Sequence, residues 1–386
     1  MDTRQYIAEH LHDDVHELAL RTTDARVDMT LALRQIEARQ LLQKKVPSWS
    51  NNEDLLFPPH LSVEQCSSEA TARYKASLLH GDSFVDLTGG LGVDCHFISQ
   101  GFASSDYVES NAELCSLARH NYTTLGNPIR IHNESAEAFL QHCECYDAMF
   151  IDPARRDTAG RKVVSITECT PNLVELQELM LQKSRRVMVK LSPMLDISQA
   201  LKVLHGVSEV HVVAVDNECK ELLFLMSSSP HHEPTFTCVN LQSGQEPLSF
   251  TQEDEQDSPL RLASSVARYL YEPNAALLKG GCFKLLTQRY EVQKLHRHSH
   301  LYTSDVLVSD FPGRIFSVEA WAPYNKRIRQ TLLADVEKAS IATRNFPLSV
   351  AELRKTLKIN DGDTIYLFAT TLSGEQKILI KTTKVV

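Results

Sequence analysis

Between residues 81 and 226 the chain alternates short, nearly continuous apolar runs with longer stretches of mixed polarity. The first five runs end near Asp86, Glu109, Asn133, Asp152 and Lys190. Unbroken apolar runs suit strands buried on both faces, and the stretches between them suit covering helices. The pattern therefore predicts a βαβ series around a parallel sheet. Two later runs, 209–215 and 221–226, bracket Asp216-Asn217-Glu218-Cys219-Lys220 and predict a closing antiparallel pair. Residues 1–80 read as helical: glycine is absent, and Leu18, Val27, Leu31, Leu33 and Ile36 are closely spaced. The stretch 35–42 is rich in strong helix formers, and Asp24 is a candidate helix cap. Residues 47–52 read as a loop, and 62–75 as one capped helix leading into the core.

Past Ser227-Ser228-Ser229-Pro230 the rhythm changes. Residues 231–312 predict a small α+β module, with the acidic stretch 252–257 as a solvated loop. His296, His298 and His300 alternate as on a strand face. Residues 313–386 read as strand, helix, strand, strand. Ser349 and Glu352 have capping-box spacing, and Asp361-Gly362 marks a turn before a strand over 364–370. The expected division is a helical region over 1–80, an α/β domain over 81–230, and modules over 231–312 and 313–386.

Charge adds one contrast. The net charge of the 386-residue chain is −9. Residues 313–386 hold 12 Lys or Arg against 7 Asp or Glu, while 1–312 hold 28 against 42. A basic end on an acidic body is a layout of polyanion-binding proteins, and equally ordinary charge variation between domains. No apolar run reaches the ~20 residues of a membrane helix. The start, Met1-Asp2-Thr3-Arg4, lacks a signal-peptide pattern, and nine cysteines without a C-x-x-C pair favour a reducing cytoplasm. His142-Cys143-Glu144-Cys145 falls short of a zinc ligand set, so no metal is expected.

The candidate chemistry lies at the predicted strand ends. Asp86-Leu87-Thr88-Gly89-Gly90-Leu91-Gly92-Val93-Asp94 is a glycine turn between a strand and a helix. Its order breaks the G-x-G-x-x-G spacing of NAD-binding turns, and an acid stands three residues before the first glycine. Such a turn holds either a nucleotide phosphate or the methionine part of S-adenosylmethionine. Glu109, 23 residues after Asp86, stands where an acid accepts both ribose hydroxyls. Asn133-Glu134-Ser135 closes the third run, beside the expected adenine position. Asp152-Pro153-Ala154-Arg155-Arg156 follows the fourth, where the proline forces an extended turn. Asp152 is the candidate for orienting a target nitrogen, through its carboxylate or the Pro153 carbonyl. Arg155 and Arg156 either clamp a phosphate or brace the loop. Lys190 either touches substrate or forms a structural ion pair. The hydroxyls of Ser67, Ser68 and Thr71 either face a cofactor carboxylate or cap a helix.

The D-x-x-G-x-G-like turn resembles that of class I methyltransferases, whose base-modifying members carry D-P-P-x or N-P-P-x after strand four. More specifically, E-Q-C-S-S-E-A-T-A-R-Y-K-A (64–76), D-L-T-G-G-L-G-V-D (86–94), I-D-P-A-R-R-D (151–157), K-L-S-P-M-L-D (190–196), Y-E-P-N-A-A-L-L-K (271–279) and A-T-R-N-F-P-L-S-V (342–350) resemble a bacterial methyltransferase family with a THUMP-like C-terminal domain. The resemblance implies a Rossmann-like α/β methyltransferase core, an N-terminal helical region, and ferredoxin-like and THUMP-like α+β modules. It also implies S-adenosylmethionine as cofactor, bound by Ser67, Ser68, Thr71, Asp86, Thr88, Gly89, Gly90, Gly92, Asp94, Glu109, Ser135 and Asp152. Asp152, Pro153 and Arg155 are the expected catalytic residues; Arg155, Arg156, Lys190, Arg327 and Arg329 are the expected substrate contacts. The expected substrate is RNA, tRNA or rRNA, methylated at a base nitrogen. Alternatives are a small-molecule or protein substrate, or an RNA-binding protein that keeps the fold without turnover. The core is also similar to trimethylguanosine synthases, but their aromatic after D-P-P is replaced here by Ala154. Uracil-C5 enzymes need a cysteine nucleophile after strand five, where this chain has Ser192-Pro193.

Overall fold

The computed structural model describes residues 2–20, 26–154, 166–228 and 233–385. Asp24 lies outside them. The chain forms two compact units, Met1–Val210 with Glu221–His232, and His211–Lys220 with Glu233–Val386.

In the first unit the strands are β1 (Ser83–Asp86), β2 (Ser104–Val108), β3 (Ile129–His132), β4 (Tyr146–Ile151) and β5 (Ser184–Leu191). They are followed by β6 (Val207–Val215) and β7 (Glu218–Met226), both crossed by the boundary between the units, and the order within this unit is β3-β2-β1-β4-β5-β7. The first five are parallel, and β7 runs antiparallel to β5. Phe84, Val85, Ala148, Met149, Phe150, Ile151, Val187, Met188 and Val189 are all buried, which is why the sequence there is continuously apolar. Register aligns the strand ends. Asp86 lies opposite Tyr107 and Phe150, Val108 opposite His132, and Ile151 opposite Val189. The five expected strand-end residues thus fall along one edge. In parallel α/β sheets this carboxyl edge is where ligands bind.

The N-terminal region is helical, including Met29–Lys45 with Asp28 as its cap. Two expectations fail here. Residues 47–52, read as a loop, begin with the short helix Pro47–Ser50. The single helix expected over 62–75 is two helices, His60–Gln65 and Glu69–Ala76, broken at extended Cys66 and Ser68. The Ser68 hydroxyl accepts the Thr71 N–H at 3.2 Å and starts the second helix, while Ser67 turns inward.

The second unit holds β8 (Thr235–Leu241), β9 (Leu248–Phe250), β10 (Tyr269–Pro273), β11 (Gln293–Lys294), β12 (Tyr302–Ser304), β13 (Gly313–Pro323), β14 (Ser340–Arg344), β15 (Ile365–Leu372) and β16 (Gln376–Lys384). One sheet runs β11-β12-β10-β13-β16-β15-β14, antiparallel except for β14 and β15. Ser349 and Glu352 form the expected capping box of helix Val350–Leu357. The acidic 252–257 stretch is a helix rather than a loop. Thr251 and Asp254 cap it reciprocally, and Glu255 accepts the Lys284 and Leu285 N–H groups at 2.9 Å. His296, His298 and His300 lie beyond β11 in a turn, not on a strand. Nδ1 of His296 accepts N–H groups from His298 (3.1 Å) and Asn345 (3.0 Å), and its Nε2 meets Glu375 at 2.9 Å.

The Y-E-P-N segment is a structural joint in this sheet. Buried Glu272 pairs with both Arg314 and Arg344, and Asn274 caps helix Ala275–Gly280. Glu272→Ala strands two guanidinium groups around a buried site. It should destabilise the second unit by about 3 kcal/mol, read as a lower midpoint in denaturant unfolding. An unchanged midpoint would mean that the pairing carries no net stability.

Candidate functional site

The glycine turn is held from below by two tyrosines. The Tyr107 hydroxyl donates to the Gly90 carbonyl at 2.6 Å, and that of Tyr122 to the Gly92 carbonyl at 3.0 Å. A Cβ on Gly89 would sit 2.0 Å from the Tyr107 ring. Gly92 has φ +89°, and a Cβ on it would sit 2.3 Å from Tyr122 Oη. Both glycines are therefore required by the tyrosines. Gly90 differs: a Cβ there would meet nothing nearer than 3.8 Å, so its face is open to a ligand.

Two acids flank this open face. Asp86 is 1 % exposed; its Oδ1 accepts the Thr88 N–H at 2.9 Å, and its Oδ2 is buried without a hydrogen-bond partner. Burial pushes its carboxyl well above the usual range. The Thr88 N–H opposes that shift, and the neighbouring acids Asp94 and Asp152 add to it. Glu109 accepts the Gly90 N–H at 3.0 Å and the Asn111 N–H at 2.8 Å, which fixes its carboxylate against the turn. Asp152 follows β4, and its backbone N–H donates to Thr88 Oγ1 at 2.7 Å. Ala154 is tied to Thr170 by a pair of backbone hydrogen bonds of 2.7 and 3.1 Å. An orphaned acid oxygen, an oriented second acid and a glycine face without side chain fit a ligand that carries an ammonium group and a ribose. The methionine and adenosine parts of S-adenosylmethionine have those groups.

Behind the turn lies a buried ionic cluster. Lys75, fully buried on helix Glu69–Ala76, meets both carboxylate oxygens of Glu221 on β7 at 2.8 Å and Asp94 at 3.1 Å. Lys190 on β5 pairs with Asp152 and lies 3.5 Å from Asp94. The Ser67 hydroxyl accepts from both ammonium groups at 3.1 Å and donates to Asp94 at 2.6 Å. Burial disfavours the Lys190 charge, but Asp152, Asp94 and Glu221 outweigh it and raise the pKa. Burial likewise opposes ionised Asp94, and Lys75 and Lys190 overcome it and hold the carboxyl below its ordinary value. For Glu221 burial wins, and its pKa is raised.

The structure thus links Ser67, Asp86, Thr88, Gly89, Gly90, Gly92, Asp94, Glu109, Asp152 and Lys190 into one edge. Pro153 is buried beside them. Ser68 and Thr71 are joined as helix cap and capped N–H, and Ser135 caps helix Ala136–His142. Arg155 and Arg156 lie outside the described residues. Arg327 and Arg329 belong to the second unit. Arg327 is exposed, whereas the Arg329 guanidinium donates to the carbonyls of Leu333 (2.5 Å) and Val336. Sequence reasoning missed Lys75 and Glu221. The one available signal was that Glu221 stands directly before the apolar run 222–226 within β7. Among the described residues no group of His, Cys, Asp and Glu is placed to hold a metal, and no helix is long and apolar enough to cross a membrane.

Residues 269–312 match a ferredoxin-like domain family and 313–384 a THUMP domain-like family. The chain is 34 % identical to a candidate methyltransferase from Porphyromonas gingivalis W83, over 100 % of this chain and 98 % of that one, with a TM-score of 0.88. It overlaps more distantly with a tRNA (uracil-54, C5)-methyltransferase from Pyrococcus abyssi (18 % identity, 45 % and 41 % of the two chains, TM-score 0.31). An rRNA methylase from Streptococcus thermophilus is similar at the same level (13 %, 41 % and 95 %, TM-score 0.31). No curated protein matches the chain.

The ionic cluster makes a direct prediction. Lys75→Met leaves Glu221 and Asp94 without their shared cation and should cost about 3–5 kcal/mol in urea unfolding. Adding Glu221→Leu should recover part of that loss. If the double variant is instead less stable than the single one by the full cost of a second core mutation, the two residues are not coupled.

Proposed function

This chain belongs to the methyltransferase family that carries ferredoxin-like and THUMP-like C-terminal domains, and from that premise we propose that it methylates a base nitrogen of RNA, tRNA or rRNA, with S-adenosylmethionine as donor. The observation that carries this reading is the Lys190–Asp152 pair beside the open face of Gly90. The cofactor supplies an activated methyl on a sulfonium, so the protein's task is alignment. Such positioning can lower a barrier by roughly 7–11 kcal/mol. Glu109, already braced by two backbone N–H groups, has lone pairs left for ribose hydroxyls. The unpartnered Asp86 oxygen suits the cofactor's ammonium. Asp152, held by Lys190, accepts a hydrogen bond from the target N–H together with the Pro153 carbonyl, and so turns the nitrogen lone pair towards the methyl. Ser192, buried, occupies the position where thiol chemistry would need a nucleophile.

RNA as substrate draws support from the THUMP-like match and from the charge of that segment. Several cations there are internally paired, including Arg354 with Asp361 and Lys381 with Asp335, both at 2.8 Å. Lys326, Arg327, Lys355 and Lys358 are exposed. Helices Ile328–Thr331 and Val350–Leu357 pack into the same core through Ile328, Leu353 and Leu357, which places these cations around one body.

Three outcomes follow. Glu109→Ala should weaken S-adenosylmethionine binding by about 1–3 kcal/mol in calorimetry. No binding by the intact protein would remove the cofactor assignment. Asp152→Ala should abolish methyl transfer to total cellular RNA while holding cofactor affinity within about tenfold. Full activity in that variant would refute the nitrogen-orienting role. RNA retention on filters should weaken with salt by about 0.7 log units per log unit of salt for each single-strand phosphate contacted, and Arg327→Glu with Lys355→Glu should lower that slope. Retention insensitive to both would turn the reading towards a small-molecule acceptor.

A further inference from the structure

Met194 is 81 % exposed, and among the described residues of 81–228 it is the one large apolar side chain left in that state. It is not on a loose loop. Leu191 and Ser192 are buried before it, and Leu195 and Ile197 after it. The Ser192 hydroxyl accepts the Met194 N–H at 3.1 Å, and its carbonyl accepts the Leu195 N–H at 3.1 Å. Asp196 then caps helix Ile197–Val203 through the Gln199 N–H at 3.0 Å. The turn is thus clamped on both sides, and its tip projects a thioether into solvent. That tip is four residues beyond Lys190, so its Cα lies at most about 14 Å from that of the lysine whose ammonium holds Asp152. On the Asp152 side, the exposed residue after Asp152-Pro153 is Ala154, which offers almost no surface.

We propose that Met194 is the apolar wall against which the acceptor's planar nucleobase lies while Asp152 holds its nitrogen. This deepens, and rests on, the base-methylation reading above. A carboxylate and a proline carbonyl can fix one edge of a base but not the plane of its ring. A polarisable, unbranched side chain held at a fixed turn can fix that plane, and it adapts to more than one ring. The rigid turn is what makes an exposed methionine useful here, because its backbone position is set before the base arrives.

The test separates the wall from the RNA reading. Protein labelled with ¹³C at its methionine methyls would be saturated with S-adenosylhomocysteine and titrated with AMP, GMP, CMP and UMP. One resonance, identified by its loss in Met194→Ala, should move upfield with at least one nucleotide. In RNA methylation Met194→Ala should lower kcat/KM by roughly three- to tenfold, mainly through KM, with unchanged cofactor affinity and oligomeric state. If intact protein methylates RNA, yet no nucleotide moves the Met194 signal and the variant is equally active, the wall is wrong and the RNA reading stands. If nucleotides move the signal but no RNA is methylated, the wall stands and the acceptor is a free nucleotide or related small molecule. A changed oligomeric state or lost cofactor binding in Met194→Ala would overturn the proposal, because Met194 would then serve an interface or the cofactor site.

Discussion

The buried pairing of Lys75 and Lys190 with Asp94, Asp152 and Glu221 is the constraint on which the site's geometry depends. Its members come from a helix preceding the sheet, the helix after the glycine turn, the end of β4, β5 and β7. The sheet ladder already sets the register of β4, β5 and β7; the cluster adds the position of the two helices against it. Charges removed from water are expensive unless each finds its partner, so any slip of one element leaves an uncompensated ion. The cluster therefore contributes position more than stability. It holds Asp152 at a defined place relative to the open face of Gly90.

The same cluster has three carboxylates against two ammonium groups, with the high-pKa Asp86 close by. Opposite charge fixes orientation and favours one partner over another more than it adds affinity. With both ammonium groups already taken by carboxylates, the cluster has no free cation to meet a dinucleotide's pyrophosphate. The broken glycine spacing in the sequence agrees with that.

Most strand ends were legible because central parallel strands are apolar on both faces, so Asp86, Glu109, Asp152 and Lys190 stand out as the first polar residues after each run; the edge strand β3 carries Arg130 and His132 and marks its end less sharply. The capping box at Ser349 and Glu352 was legible because it is local. What was hidden is long-range or context-dependent. Lys75 and Glu221 are 146 positions apart, and the one local hint of burial is the place of Glu221 directly before an apolar run. The break at Cys66–Ser68 depends on Asp94 and two lysines drawing Ser67 inward. The helix at Gln252–Asp257 is acidic on every face, and its Glu255 is committed to a helix start nearly thirty residues away. The histidine triplet mimicked a strand because alternation alone does not tell a ladder from a turn whose first member is satisfied by Asn345 and Glu375.

β10 hydrogen-bonds along its whole length to β13, from Tyr269 opposite Ser317 to Pro273 opposite Gly313. The ferredoxin-like and THUMP-like segments meet between residues 312 and 313, so their junction in sequence runs through the interior of a sheet. A gene fusion or recombination breakpoint placed there would bare two long strand edges at once. To move the THUMP-like segment alone is therefore to cut a sheet and not a linker, and the piece that leaves carries β13 with one side unpaired.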